Sequence, residues 1–211
     1  MKNVEKELKY QLSKEDFIIF KKFLIENEYL KLNSFTQINY YIDTEELIFK
    51  ERDITIRIRK ILADINKYEF TIKIPINKNY GENYKIKNEY NIILDEEIAI
   101  NLINRDNFKD YERLFTDILK EIEFKIDLNK LKVIGQLNTK RELYIIDKNY
   151  EAINIDISSY LDEEDYEIEW ETEKIDGAER IITDIFKKIS IVPNSNCISK
   201  NTRFFDKYTS L

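Results

Sequence analysis

Histidine is absent from this 211-residue chain, and cysteine, glycine and proline are scarce, at one, three and two residues. Without an imidazole, Ser-His-Asp and Cys-His catalysis and imidazole ligation of a metal are excluded. The single cysteine, Cys197, excludes an intrachain disulfide and a cysteine-built zinc site, which fits a reducing compartment. Three glycines leave no P-loop or dinucleotide-binding fingerprint. No Pro/Gly/Ser-rich linker divides the chain, so a single domain over residues 1–211 is expected. No apolar run approaches the roughly 20 residues that a membrane helix needs, and MKNVEKELKYQL lacks the apolar core of a signal peptide. The expected location is cytoplasmic, with no membrane partner. A formal net charge of −7 and a pI near 5.0 repel nucleic acid, which is not expected as a partner. An anion site must therefore be a local concentration of Arg and Lys, and any chemistry falls to carboxylates, Lys, Arg, Tyr and bound metal.

What the chain has is charge, 36% of residues, set among 43% hydrophobic residues that include 14 Tyr and 12 Phe. The charges fall on alternate positions of apolar segments. Glu5, Glu7 and Lys9 alternate with Leu8, Tyr10 and Leu12; Thr55, Arg57 and Arg59 with Ile54, Ile56 and Ile58; Thr71 and Lys73 with Phe70, Ile72 and Ile74. Lys87, Glu89 and Asn91 alternate with Ile86, Tyr90 and Ile92; Asn154, Asp156 and Ser158 with Ile153, Ile155 and Ile157; Glu167, Glu169 and Glu171 with Tyr166, Ile168 and Trp170. Successive side chains of a strand point to opposite faces, so each charged set shares one surface of a sheet. For a single strand, a solvated charged face is the ordinary reading. Taken together, the strands differ from the Lys, Glu and Asn of the chain's other polar stretches. They gather paired Arg, paired Glu and an Asp, residue types suited to phosphate forks and hard-metal coordination.

Helical spacing separates the strands. It runs from a capping box at Ser13–Asp16 through Phe17, Phe20, Phe23 and Leu24, then through Ile98 and Leu102, and through Tyr111, Leu114, Phe115, Ile118, Leu119 and Ile122. A last amphipathic helix opens at Asp176 and carries Ala178, Ile181, Ile182, Ile185, Phe186 and Ile189. Residues Gln37 to Thr44, Leu131 to Gln136 and Lys140 to Ile146 read as further strands, a turn falls near Asp64–Lys67 and a polar loop around Asn77–Asn83, and the stretch from Ser199 to Lys207 reads as polar. These helices must bury apolar stripes, and the apolar strand faces are the large partners available. Helices on that side leave the charges pointing into a barrel. The expected fold is α+β: a closed antiparallel β-barrel with a charged lumen and amphipathic helices outside.

The ordered series Glu5-x-Glu7-x-Lys9, Tyr40-Tyr41-Ile42-Asp43-Thr44, Arg57-x-Arg59, Thr71-x-Lys73, Glu89, Arg141, Asp156, Glu167-x-Glu169, Lys200 and Arg203 resembles the CYTH domain, the triphosphate tunnel metalloenzymes, over essentially the whole chain. It looks most like the short stand-alone bacterial members of the YjbK type. The resemblance implies an eight-stranded antiparallel tunnel and hydrolysis of a triphosphate, inorganic triphosphate being favoured, with Mg²⁺ or Mn²⁺. By matched position Glu5, Glu7, Glu167 and Glu169 are metal ligands, with Asp156 and Glu89 in or beside the metal shell. Lys9, Arg57, Arg59, Lys73, Arg141, Lys200 and Arg203 hold phosphate oxygens. Lys9, Glu7, Glu169 and Tyr41 form the catalytic set, with a polarised water as nucleophile. The substrate partner is a small polyphosphate, and the chain is a monomer or a homodimer.

Two other functions compete: an adenylate cyclase, for which no adenine or ribose pocket is identifiable, and an idle polyphosphate or nucleotide binder, which would gain little from inward acids. Single residues have plain alternatives. Glu171 continues the acidic alternation but is placed at the tunnel mouth, outside the metal set. Tyr41 is either a neighbour of Lys9 or a packing residue. Lys140 faces outward, Trp170 belongs in the core, and Cys197 is incidental.

Overall fold

Alternating charge becomes a closed barrel of eight antiparallel strands in the computed structural model. The structure describes residues 2–76, 84–122, 124–194 and 198–211, and within them all side chains except those of residues 2, 3, 5, 84, 85, 117 and 118. The strands are β1 (Lys2–Leu12), β2 (Leu30–Asp43), β3 (Thr55–Leu62), β4 (Lys67–Pro75), β5 (Tyr84–Leu94), β6 (Lys132–Ile145), β7 (Ile153–Tyr160) and β8 (Glu163–Glu171). Around the barrel they run β1-β5-β4-β3-β2-β6-β7-β8 and return to β1. Closure removes the sheet edges. It also forces one face of every strand into a lumen.

The other face carries the core. On one side Leu8, Tyr10, Leu12, Ile155, Ile168 and Trp170 pack under helices α1 (Lys14–Glu26) and α4 (Ile175–Lys188), through Phe17, Phe20 and Leu24 and through Ile182, Ile185 and Phe186. On the other, Ile56, Ile58, Phe70, Ile72 and Tyr90 meet Ala99 and Leu102 of α2 (Glu96–Arg105) and Phe115 of α3 (Glu112–Leu119). Each fully buried Phe or Ile contributes about 1.5–3 kcal/mol over leaving it exposed, so the helices hold the charged face inward. Ser13 starts α1 as expected, accepting from the Asp16 backbone N–H at 3.0 Å. Trp170 is in the core, its indole N–H donating to the Glu151 carbonyl at 2.8 Å.

Two readings of the chain are corrected. Leu131–Gln136 and Lys140–Ile146 are one strand, β6, because Leu137 and Thr139 keep the alternation on the lumen side. The stretch from Ser199 is a helix, α5 (Lys200–Thr209), capped by the Ser199 hydroxyl, which accepts from the Thr202 N–H at 3.1 Å. Its Phe204 and Phe205 cover the lumen-facing Tyr41, Leu137 and Tyr160 and so close one end of the barrel. The polar loop expected around Asn77–Asn83 and Cys197 lie outside the described residues.

Candidate active site

Barrel register brings distant charges into rows. Lys9 of β1 stands opposite Glu169 of β8, and Glu7 opposite Glu171. Asp156 of β7 lies between Glu167 on one side and Arg141 of β6 on the other. Asp156, Glu167 and Glu169 are all buried, and one carboxylate oxygen of each lies within 4.8 Å of the others. Three like charges so close, out of water, would each cost several kcal/mol without partners.

Four cations supply those partners. Lys9 reaches Glu169 at 2.7 Å, Glu7 at 2.8 Å and Glu167 at 3.8 Å. Arg141 makes a two-pronged contact with Asp156, at 2.8 and 2.6 Å, and donates to Glu169 at 2.5 Å. From α5, Lys200 donates to Asp156 and Glu169, each at 2.7 Å, and also pairs with Glu167. Arg203, one turn on, bonds Asp165 at 2.6 Å and Glu167 at 2.5 Å. Burial works against the Lys9, Arg141 and Lys200 charges, but the surrounding carboxylates outweigh it and raise all three pKa values. Glu169 shows the reverse: burial opposes its charge, and Lys200, Lys9 and Arg141 hold it well below the usual carboxylate range.

The facing wall is different. Arg57 and Arg59 of β3 line the same cavity, of about 110 Å³, yet neither makes an ion pair among the described residues. Arg59 donates through Nε to Asn39 Oδ1 at 2.9 Å. Burial, then the Arg57 and Arg141 charges, push the Arg59 guanidinium down to about 10. Lys73 pairs with Glu89 at 2.7 Å. Burial opposes ionisation of Glu89, but Lys73 and Arg57 bring its pKa down to about 2.

The structure thus gathers Glu7, Lys9, Asp156, Glu167, Glu169, Arg141, Lys200 and Arg203 into one ion network. It puts Arg57, Arg59, Lys73 and Glu89 on other parts of the lumen wall. Glu89 is not among the clustered acids, because its partners are Lys73 and Asn91. Glu5 pairs in register with Lys87, and its side chain lies outside those described. Tyr41 packs on Phe204 and Phe205, with ring centroids 5.0 and 5.9 Å away, and the charges bearing on its hydroxyl are Arg57, Lys200, Arg59 and Arg203 rather than Lys9.

Several lumen residues escaped the sequence reading as site members. Glu171, Gln37, Thr55, Lys87, Ser199 and Asn201 line the cavity, and Asp165 anchors Arg203. The alternation that marked Glu167 and Glu169 extends to Asp165 and Glu171. That of Tyr41 extends back to Asn39 and Gln37. Ser199 and Asn201 carry no such signal, since they depend on how α5 docks.

Residues 3–204 match the family model described as CYTH domain. A curated protein of Bacillus subtilis (strain 168), "Putative triphosphatase YjbK", is 27% identical over 205 residues, which cover 93% of this chain and 97% of that one. The crystal structure of a "putative adenylate cyclase" from Bacillus halodurans is 29% identical, with a TM-score of 0.74 and coverage of 97% of this chain and 98% of that one. A Hippeastrum protein, described as a "putative adenylyl cyclase" with a dominant triphosphatase activity, shares the fold at 20% identity and a TM-score of 0.81, over 96% and 95% of the two chains.

Proposed function

We propose, from the premise that this chain belongs to the CYTH domain family, that it hydrolyses a triphosphate with the help of a divalent metal ion, inorganic triphosphate being the favoured substrate. One observation carries the reading: a single cavity joins Glu169, one of three clustered carboxylates, to a wall where Arg57 and Arg59 make no ion pair among the described residues. The name of the Bacillus subtilis relative supports the same reaction.

The clustered acids fit a hard cation. Asp156, Glu167 and Glu169 offer carboxylate oxygens, the donors Mg²⁺ and Mn²⁺ take, at mutual distances a single ion can span. Glu7, joined to Glu169 through Lys9, completes the set that would hold it, and Glu5 precedes Glu7 on the same strand face. A bound ion there would supply charge neutralisation to phosphate oxygens.

The chain's own residues do the rest. Arg57, Arg59, Lys73 and Arg141 fix the phosphates in one orientation and stabilise the charge that develops as the anhydride breaks. Lys9, Lys200 and Arg203, now on carboxylates, are placed to turn to phosphate oxygens. Glu7 and Glu169 flank Lys9 and orient a water for in-line attack. The one aromatic lining the cavity is Tyr41, already covered by Phe204 and Phe205, so a nucleobase finds no stacking partner among the described residues of the lining. An organic group would then add little transition-state binding, which favours inorganic triphosphate over ATP.

The test is phosphate release from inorganic triphosphate, thiamine triphosphate, ATP and RNA 5′-triphosphate, with Mg²⁺, with Mn²⁺ and in EDTA. The highest kcat/KM is expected for inorganic triphosphate with metal. Cyclic AMP from ATP would replace this reading with a cyclase, and binding without turnover would leave a polyphosphate-binding protein.

A further inference from the structure

Gln37 is a polar side chain that nothing in the site above accounts for. It sits on β2, on the lumen face shared with Asn39 and Tyr41, opposite Ile61 of β3 and Thr139 of β6. The residue is 1% exposed and lines the cavity, and its amide nitrogen has no hydrogen-bond acceptor. The Nε of Arg57, 8% exposed and lining the same cavity, is equally without one. A buried N–H that gives up water and gains no partner is costly, so natural proteins leave few of them without a reason. In register they flank the Arg59–Asn39 pair, Gln37 opposite Ile61 on one side and Arg57 opposite Tyr41 on the other, and Asn39 fixes the Arg59 orientation.

No carboxylate forms an ion pair with this group among the described residues. Lys9, Lys73, Lys87, Arg141, Lys200 and Arg203 each make an ion pair with a protein acid, whereas Arg57 and Arg59 do not among the described residues. Donors that line one cavity without an ion-pair partner, two of them guanidinium groups, are complementary to an oxyanion. Resting on the triphosphatase reading and deepening it, we propose that Gln37 contacts a phosphoryl oxygen of the substrate. With Arg57 and Arg59 it forms an anion pocket that takes one phosphoryl group without metal, apart from the clustered acids. A neutral amide suits this position, since it adds a donor where a further cation would face two arginines.

The experiment is calorimetric titration of the full chain with inorganic triphosphate in EDTA at low salt, beside steady-state kinetics with Mg²⁺. Wild type is expected to bind without metal. Gln37→Glu, which keeps the shape but turns the donor into a charged acceptor, should bind at least about tenfold more weakly, and Gln37→Met, similar in volume and without polar hydrogens, about fivefold. Both should raise KM more than they lower kcat, and melting curves near wild type will show that they fold. The proposal is overturned if wild type binds triphosphate only with metal, or if both variants bind it as tightly as wild type. A wild type that hydrolyses triphosphate while the Gln37 variants are silent would sink this inference and keep the triphosphatase. Metal-free binding that depends on Gln37, without turnover, would do the reverse.

Discussion

Gly135 on β6 and Phe204 on α5 leave no room between them: a methyl group on Gly135 would lie 2.7 Å from Cζ of the Phe204 ring. The glycine is required for space rather than for backbone freedom, since no glycine among the described residues has positive φ. Phe204 is fully buried and also meets Tyr41 and Phe205, so it cannot swing aside. The same helix delivers Lys200 and Arg203 to the acids.

Gly135→Ala should therefore displace α5, costing about 1–3 kcal/mol, as overpacking a filled core does. Activity should fall with stability, because Lys200 moves with the helix. A variant with unchanged melting temperature and unchanged kcat/KM would show that α5 does not hold the site together.

Arg57→Ala and Lys200→Ala should move stability in opposite directions. Arg57 makes no ion pair among the described residues, and it depresses the Arg59 pKa, so its removal relieves repulsion that offsets its attraction to Glu89. The melting temperature without ligand should stay level or rise, while activity drops on the order of a hundredfold, a loss of roughly 3 kcal/mol of transition-state stabilisation. Lys200 touches three buried carboxylates, and truncating it leaves them short of a partner. A loss of about 3 kcal/mol is expected. Thermal melts in EDTA decide the matter, and a shift of the same sign in both variants would refute it.

The barrel was legible because its lumen face is polar at a period of two while helices cover the other face, so strand alternation and helix spacing never conflicted. The acids of β8 and β1 were legible for the same reason, each strand announcing its own row. Glu89 was harder. Its place on the lumen face follows from alternation, but its choice of Lys73 rather than the acid cluster depends on neighbouring strands and on barrel closure. Helix α5 was missed because its polar residues face the lumen acids instead of water. Lys200 and Asn201 are buried, so the usual contrast between apolar core and polar surface is lost.

Outside the barrel, Glu142 on β6 accepts from Lys21 of α1 at 3.0 Å and pairs with Lys31 of β2 at 2.9 Å. Burial works against its charge, but the two ammonium groups outweigh it and lower its pKa. The stabilisation is thus fully present above the unfolded value, near 4.3, and is lost as pH falls through the lower folded value. Glu142→Gln should lower stability at pH 7 by well under about 1 kcal/mol because the lysines are partly solvated, and by less at a pH below the folded value. An equal decrement at both pH values would assign the loss to packing.

Metal and triphosphate should stabilise the protein more together than the sum of each alone. A divalent ion that reaches Asp156, Glu167 and Glu169 by itself competes with Lys9, Arg141, Lys200 and Arg203, which already pair with those carboxylates. A triphosphate in the cavity offers the same cations other oxygens, freeing the carboxylates for the ion. By linkage the metal must tighten triphosphate binding by the factor that triphosphate tightens metal binding. The factor expected is at least about tenfold, or 1.4 kcal/mol. It can be read from melting temperatures across a grid of Mg²⁺ or Mn²⁺ against a non-hydrolysable triphosphate analogue. Strictly additive shifts would mean that the four cations do not guard the acids, and the ion would then have to bind elsewhere, with Glu7 and Glu171 at the other end of the same row the first place to look.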